Sequence, residues 1–361
     1  MDKDICDKFF ELIRFSIDAN ATIPMDINKD DWSILYETAR KHALVGVCAS
    51  GIERMSEGMR PPRNIALRWA TATLEIEARN RQINRRCVEL TSRLTDNGLR
   101  TCILKGQGLA VLYPNPLRRQ SGDIDVWVDG GRKMLVDYVR RLFPKMGFRY
   151  HHIDYPIFRD VSVEIHFMPS WMCAPGSNRR LQRWFEKQSD IVFNNLCDLP
   201  ENAGRIFVPT IDFNVVYVML HIYRHFFDEG IGLRQVMDYY FVIRNSSIQR
   251  NEETLTLLKE LGLYGFARAM MYVMREVFGL EERYMIVSPS ENDGAFVLHE
   301  IFRAGNFGHD NDAIFRTNGK SLCYFKTKLD YKLHFFRRYP KETLWGNVFW
   351  IWQRIWRIWN E

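Results

Sequence analysis

Three acidic residues have the types and spacing of a divalent-metal site. Asp123 and Asp125 lie two residues apart in GDIDVWV, and Glu164 stands at the centre of the alternating segment VSVEIHF. Residues i and i+2 of a strand share one face, so each segment directs its acids away from its apolar side chains. Grouped carboxylates repel one another unless a cation lies between them, and Mg²⁺ prefers carboxylate and phosphate oxygens. Three carboxylates could hold the two ions that assist an in-line phosphoryl displacement.

A short glycine turn precedes these acids in the chain. The turn, KGQG, consists of Lys105, Gly106, Gln107 and Gly108. It lies between a predicted strand and a predicted helix, where glycines and free helix N–H groups can approach a phosphate. Two plainer interpretations stay open: the glycines form an ordinary tight turn, and Asp123 and Asp125 are solvated residues at a loop-to-strand junction.

The hydrophobic periodicity divides the chain into three parts. Residues 1–95 have helical spacing and form an N-terminal helical region, while residues 96–205 alternate short strands with helices. The acids lie in this central part, on strands predicted over 123–128 and 161–167. Residues 206–361 are helical again. We therefore predict an α+β fold in which helical regions flank a small strand-bearing core.

The composition is that of a folded protein without a membrane-spanning segment. Hydrophobic residues make up 46% and charged residues 26% of the 361, and the net charge of +6 is too mild for a dedicated nucleic-acid binder. The seven cysteines form no C-x-x-C pair, which favours a reduced, cytoplasmic chain. The first 15 residues lack the apolar core of a signal peptide, and no apolar run reaches the roughly 20 residues needed to span a bilayer.

The order of glycine turn, helix, acid-x-acid strand and third acid resembles the DNA polymerase β-like nucleotidyltransferase superfamily. More narrowly, LKGQGLAVLYPNPLRRQSGDIDVWV is similar to a bacterial family of uncharacterised nucleotidyltransferases in its LKG turn, its LYP segment, its DID motif and the preceding Arg119. The acid-x-His strand of that family matches Glu164 and His166. The resemblance implies a polymerase β-like core, a small mixed sheet with helices, that transfers a nucleoside monophosphate from ATP or another NTP to a hydroxyl.

The resemblance also implies roles for single residues. Asp123, Asp125 and Glu164 would be catalytic and would ligate two Mg²⁺ ions, for which Mn²⁺ can substitute. The implied nucleotide-binding residues are Lys105, Gly106, Gln107, Gly108 and Arg119. The superfamily has a serine where this chain has Gln107, so one hydroxyl contact to the triphosphate is expected to be missing. A catalytically silent binding or regulatory module that kept the fold therefore stays open as the alternative.

Further polar residues are predicted to line the cleft or to contact the acceptor. These residues are His166, His221, His225, Arg234 and Asp238. The pairs on the helices are spaced i, i+4, so His221 and His225 could instead bind Zn²⁺ or hydrogen-bond within the helical region, and Arg234 and Asp238 could form a plain helix salt bridge. We expect the acceptor to be a small molecule or a protein rather than a nucleic acid.

The C-terminal segment carries an aromatic stripe at helical spacing. The stripe consists of Trp345, Phe349, Trp352, Trp356 and Trp359, with Arg354 and Arg357 beside it. We expect this helix to dock on the C-terminal helical region or on a second subunit. A basic, tryptophan-rich helix can also lie on a membrane surface, so peripheral membrane contact is the alternative.

Overall fold

The chain is mixed α and β, with helices forming most of it. The computed structural model describes residues 3–22, 27–247, 252–306 and 333–360, with side chains described up to 356. The helices are α1 (Lys3–Ile17), α2 (Asp31–Lys41), α3 (Val45–Arg54), α4 (Arg63–Asp96), α5 (Gly106–Ala110), α6 (Gly131–Leu142), α7 (Pro175–Val192), α8 (Ile211–Asp228), α9 (Leu233–Asn245), α10 (Glu252–Leu261), α11 (Tyr264–Phe278), α12 (Glu291–Ala304) and α13 (Pro340–Asn360). The strands are β1 (Thr101–Leu104), β2 (Ile124–Val128), β3 (His152–Asp154), β4 (Val163–His166), β5 (Leu196–Leu199) and β6 (Gly204–Phe207).

The sheet that carries the acids is small and mixed. Its four strands follow the order β1-β2-β4-β3, in which β2 and β4 are parallel and the two outer pairs are antiparallel. The parallel register places Asp125 directly opposite Glu164. The alternation predicted for the two acidic segments therefore brings their carboxylates onto one face of one sheet.

The two faces of this sheet are buried by different layers. Ile124, Val126 and Ile165 point into an apolar cluster with the second half of α4 and with α6. Trp127 points the other way and packs against Phe213 at the start of α8, with ring centroids 6.3 Å apart. The polar residues of β2 and β4 share this second face, so α8 and α9 cover the acids.

Helix α4 joins the N-terminal helices to the sheet. Its buried residues recur every three or four positions, as expected for a helix with one apolar face, and Ile83, Cys87 and Leu90 lie in the cluster beneath the sheet. The second half of α4 thus supplies a layer of the central core, although the sequence pattern assigned it to the N-terminal region.

The N-terminal helices α1–α3 and the C-terminal helices share the larger apolar cluster. Helix α8 begins at the cap of Thr210, whose hydroxyl accepts a hydrogen bond from the backbone N–H of Phe213, and most of its residues are buried. The β5–β6 hairpin was not anticipated, because its four-residue strands alternate only weakly. Within the described ranges, none of the helices is both long enough and apolar enough to cross a bilayer.

Candidate active site

The turn after β1 directs Lys105 toward the acids. Lys105 and Gly106 both have positive φ values, of 52° and 41°, so the backbone reverses sharply before α5. The ammonium of Lys105 lies 2.9 Å from Oδ2 of Asp125 and 3.4 Å from Nδ1 of His221. The lysine predicted to hold phosphate is thus paired with one of the predicted metal ligands.

The two glycines of the turn have different surroundings. Gly106 lines the cavity above the acids, and a Cβ at its position would meet nothing within 4 Å. A Cβ on Gly108 would lie 2.8 Å from Cγ1 of Val208. Gly108 is therefore needed for close packing against the chain after β6, whereas Gly106 leaves the backbone open toward the cavity.

Gln107 is turned away from the cavity. Its side chain is buried, and its amide N–H donates to Oδ1 of Asn84 on α4. The hydroxyl of Ser121 lies 2.7 Å from Oε1 of Gln107 and 2.7 Å from Oδ1 of Asn80. Gln107 thus fastens the glycine turn to α4 and to the segment before β2, and its predicted contact with nucleotide has no support in this orientation.

The three acids meet at the floor of the cavity. One carboxylate oxygen from each of Asp123, Asp125 and Glu164 lies within 4.8 Å of the others. Asp125 is buried, Glu164 is partly buried, and Asp123 is exposed at the edge of the group. Three oxygen donors at this separation are the ligand type that Mg²⁺ prefers.

Charge within the group is unevenly balanced. Burial by itself would raise the pKa of Asp125, but the nearby Lys105 ammonium and a hydrogen bond from His166 outweigh it and hold that pKa far below its usual range. The pKa of Asp123 is raised, first because the Asp125 carboxylate lies beside it and then because neighbouring protein atoms partly desolvate its carboxylate. The negative potential at Asp123 is therefore not fully compensated by the protein, which fits a cation bound between Asp123 and its neighbours.

His166 bridges two of the carboxylates. Its Nε2 lies 2.8 Å from Oδ1 of Asp125 and 3.4 Å from Oε2 of Glu164. Burial opposes the charged imidazolium, but the hydrogen bonds to these carboxylates outweigh it and raise the pKa of His166. Both oxygens of Asp125 consequently have a cationic or hydrogen-bonding partner in the protein.

Two further histidines lie beside this group and were missed by the sequence analysis. Nδ1 of His152 lies 3.2 Å from Oε2 of Glu164, and Nε2 of His151 lies 3.0 Å from the same Nδ1. Burial lowers the pKa of His152 to about 4 and lowers that of His151 well below its ordinary value. The available signal was the His-His pair at the start of a short strand, but only the position of β3 beside β4 shows that the pair reaches Glu164.

Arg119 forms a two-pronged ion pair with the carboxylate of Asp238. Its guanidinium donates to both oxygens of Asp238 on α9, at 2.7 and 2.8 Å, and the Tyr113 hydroxyl donates to the same carboxylate at 2.7 Å. All three residues are buried. Arg119 therefore joins the loop before β2 to α9 rather than presenting its fork to a phosphate. Asp238, predicted to line the cleft with a helix salt bridge to Arg234 as the alternative, bonds to Arg119 across two segments, and the nearby Arg234 also lowers the pKa of its carboxyl.

The other predicted cleft residues line one cavity of about 520 Å³ between the sheet and α8–α9. His221 and His225 lie on its α8 wall with ring centroids 4.3 Å apart, and Arg234 lies on its α9 wall. Burial, followed by the nearby Lys105 ammonium, lowers the pKa of His221 well below its ordinary value. Predicted site residues that are as far apart in the sequence as Lys105 and Asp238 thus line the same cavity.

A cation of this cavity, Arg224, was not predicted. Its guanidinium carbon lies 3.1 Å from the ring centroid of Trp171, and an N–H donates to the Ser170 hydroxyl at 3.1 Å. Burial lowers the pKa of Arg224 to about 10. A partly buried cation on the wall of a cavity that also contains Lys105 and Arg149 can bind an anionic group.

The aromatic stripe of α13 packs beside the site. Phe349, Trp352 and Trp356 contact the ring of Tyr150 edge-on, at centroid distances of 5.4, 5.5 and 6.2 Å. Tyr150 precedes β3, so the stripe packs on the strand-bearing core rather than on the predicted C-terminal helical region. The first turn of α13 does contact that region, because Glu342 accepts a hydrogen bond from the Tyr223 hydroxyl of α8 at 2.9 Å. Trp345, predicted within the stripe, is 41% exposed. The side chains of Trp359 and Arg357 lie outside the described residues.

Comparison with known proteins gives a family for the chain. Residues 28–279 match the sequence model of a family described as "Uncharacterised nucleotidyltransferase". No curated protein matches. A solved structure, an antigenic nucleotidyltransferase-like protein from Paracoccidioides brasiliensis, is 14% identical, with 61% of this chain and 96% of that chain covered and a TM-score of 0.35. Because the family model spans well over half of the sequence, the chain belongs to the family of uncharacterised nucleotidyltransferases.

Proposed function

We propose that this protein is a Mg²⁺-dependent nucleotidyltransferase with a polymerase β-like core, which moves a nucleoside monophosphate from an NTP to a hydroxyl group. The observation that carries the proposal is the convergence of Asp123, Asp125 and Glu164 at the floor of a cavity. Membership of a nucleotidyltransferase family is consistent with it. The negative potential at Asp123, which the protein compensates only in part, supports a bound cation there.

Each acid has a distinct part in this proposal. Asp123 and Asp125 hold the Mg²⁺ that accompanies the nucleotide, and Asp125 with Glu164 holds a second ion, for which Mn²⁺ can substitute. When bound, the ions would neutralise the charge of the phosphate and lower the pKa of the acceptor hydroxyl. Glu164 is the nearest candidate to receive the hydroxyl proton, because its carboxylate is partly buried beside Asp125.

The cations of the cavity would bind the remaining phosphates. Lys105 pairs with Asp125 in the structure, and its flexible side chain can exchange that carboxylate for a phosphate when the nucleotide enters. Arg224 and Arg234 line the same cavity, and the backbone at Gly106 is open toward it. Arg119 contributes indirectly, by fixing the position of α9 through Asp238.

The cavity also bears on the acceptor. Its volume of about 520 Å³ falls in the range of roughly 300–1,000 Å³ that is usual for small-molecule sites. Its α8 side is lined by the cation Arg224 and by the acids Asp228 and Glu229. We propose a small hydroxyl-bearing molecule as the acceptor, with a protein hydroxyl as the next choice and a nucleic acid not expected.

A catalytically silent binding or regulatory module with the nucleotidyltransferase fold is the second candidate, and specific observations favour it. Lys105 and His166 already occupy both oxygens of Asp125, so the protein can balance this carboxylate without a metal. Gln107 stands in place of the superfamily serine and points toward α4. In this alternative the acids are remnants whose charge is balanced internally.

Calorimetric titration of the protein with ATP or another NTP, in the presence and in the absence of Mg²⁺, separates the two candidates. The wild-type protein should bind the nucleotide only when Mg²⁺ is present, and the variant Asp123→Ala/Asp125→Ala should lose that binding. Asp137→Ala, on the exposed face of α6, is the matched control. Equal nucleotide affinity in the wild type and the double variant would favour the silent module.

A further inference from the structure

An imidazole-rich cluster shares Glu164 with the three acids. It consists of His151, His152, Glu164 and His166, and one ligand atom from each residue lies within 4.8 Å of the others. Nε2 of His151 is 3.0 Å from Nδ1 of His152, and that Nδ1 is 3.2 Å from Oε2 of Glu164. The same oxygen is 3.4 Å from Nε2 of His166. The four atoms therefore enclose a small common space.

These separations match the edges of a metal tetrahedron. Ligands placed roughly 2.0–2.1 Å from a tetrahedral Zn²⁺ lie about 3.3 Å from one another. The three measured edges, 3.0, 3.2 and 3.4 Å, lie close to this value. Three imidazoles with one carboxylate are ligands typical of zinc, whereas Mg²⁺ takes oxygen ligands. We propose that His151, His152, Glu164 and His166 bind a Zn²⁺ ion, at a site that shares Glu164 with the proposed Mg²⁺ ligands and adds three histidines that nucleotidyl transfer as proposed above does not use.

The fold holds these rings in place before any ion arrives. Antiparallel pairing sets His152 opposite His166, and the backbone carbonyl of His151 accepts a hydrogen bond from the Phe167 N–H at 2.8 Å. The ring of His151 also packs on Trp171, with centroids 4.0 Å apart. A preformed set of ligands reduces the ordering cost of binding a metal.

Each ring of the cluster has a second nitrogen that the proposed ion would not contact. Nδ1 of His151, Nε2 of His152 and Nδ1 of His166 are buried without a hydrogen bond from any described residue. Nε2 of His152 lies 3.8 Å from Oδ1 of Asp154. This places a carboxylate behind a ligating ring, as is common around metal-bound histidines. The three buried nitrogens are the ring nitrogens opposite the proposed ligand atoms, so they would not coordinate the ion themselves.

Glu164 connects the proposed zinc site to the acids. Its Oε2 faces the histidines, and the residue lies opposite Asp125 in the register of the parallel strands. A zinc ion bound at Nε2 of His166 would replace the proton that now lies between this nitrogen and Asp125. Zinc would thus fix the position of Glu164 and, at the same time, remove the hydrogen bond that Asp125 receives from His166.

Binding of Co²⁺ tests the proposal, because tetrahedral Co²⁺ absorbs visible light strongly and six-coordinate Co²⁺ does so weakly. Full-length protein freed of metal should bind one equivalent of Co²⁺ with the tetrahedral spectrum, and Zn²⁺ should displace it. His151→Ala and His152→Ala should each weaken Zn²⁺ binding at least about tenfold. Asp123→Asn, which alters the acids but not the histidine cluster, should leave Zn²⁺ binding unchanged.

Two results would overturn the zinc site. The first is folded wild-type protein, checked by circular dichroism, that shows no tetrahedral Co²⁺ spectrum. The second is a pattern in which Asp123→Asn abolishes Zn²⁺ binding while the histidine variants retain it, since the ion would then be held by the acids. The wild-type titration decides the question even if a histidine variant fails to fold, and it requires no nucleotide.

Discussion

The ammonium of Lys105 lies 2.9 Å from Oδ2 of Asp125, at the carboxylate that the proposed Mg²⁺ site needs. A lysine in this position competes with a metal ion for the same oxygen, because both are cations. Its backbone has a positive φ, so the turn after β1 holds the side chain over the acids. Binding of metal and nucleotide is therefore expected to require Lys105 to exchange partners.

The first prediction concerns this exchange. Lys105→Ala should tighten Mn²⁺ or Mg²⁺ binding in the absence of nucleotide, because the competing cation is removed. It should weaken NTP binding about tenfold, the effect of losing roughly 1.4 kcal/mol of phosphate contact. Calorimetry of the metal alone and of the metal with NTP measures both effects. Lys133→Ala on the exposed side of α6 is the control, and unchanged affinity for both ligands in Lys105→Ala would contradict the exchange.

The second prediction concerns Gln107. Because its amide is buried among Asn84 and Ser121, Gln107→Ala should lower the free energy of unfolding by about 1–3 kcal/mol. Gln107→Ser should be similarly destabilised and should not gain nucleotide affinity, since the side chain points toward α4. Denaturant unfolding beside Lys187→Ala, an exposed substitution on α7, gives the comparison. A Gln107→Ser variant that binds NTP more tightly than the wild type would show that the side chain reaches the cavity.

The third prediction concerns Gly108 and Val208. A Cβ at Gly108 would meet the Val208 side chain at 2.8 Å, so Gly108→Ala should cost about 1–3 kcal/mol through overpacking. Val208→Ala removes the opposing methyl groups, and the double variant should be more stable than the sum of the single effects predicts. Strict additivity in denaturant unfolding would mean that the two positions are not in contact.

The fourth prediction concerns the buried pair of Arg119 and Asp238. Removing one partner leaves the other charge buried, so Arg119→Ala and Asp238→Asn should each cost about 3–5 kcal/mol. The double variant should cost less than the sum, because neither charge is then left alone. If Arg119 instead served mainly as a phosphate ligand, Arg119→Ala would lower NTP affinity while leaving the free energy of unfolding unchanged.

The same pair sets a dependence of stability on pH. Burial opposes the charged carboxylate, but Arg119 outweighs it, so the pKa of Asp238 in the folded protein lies below its ordinary value. The stabilisation is fully present above the pKa of the unfolded chain, and it is lost as pH falls through the lowered folded value. Acid unfolding of Arg119→Ala should therefore be less steep below about pH 4 than that of the wild type. Identical slopes would contradict the lowered pKa.

The strand pattern predicted the grouping of the acids because it rests on local rules. Alternation in GDIDVWV and VSVEIHF fixes which side chains share a face, and the parallel pairing of β2 with β4 then sets Asp125 beside Glu164. Local rules do not specify which strand lies next to β4. The arrival of His151 and His152 from β3 therefore could not be read from spacing.

Long-range contacts account for the other differences. Arg119 and Asp238 are far apart in the chain, and only the packing of α9 over the sheet brings them together. Gln107 was predicted to face a phosphate because of its position in the glycine turn. Its orientation depends instead on Asn80 and Asn84, polar residues on the buried face of α4 that need hydrogen-bond partners.

Transfer of label from an α-labelled NTP tests the central claim most directly. Purified wild-type protein is incubated with each NTP, Mg²⁺ and a cell extract that supplies acceptors, beside the variants Asp123→Asn and Asp125→Asn. The account predicts Mg²⁺-dependent transfer of the labelled nucleoside monophosphate by the wild type and at least about a hundredfold less by either variant, a loss of roughly 2.7 kcal/mol of transition-state stabilisation. Transfer that is equally fast in the wild type and both variants would contradict it.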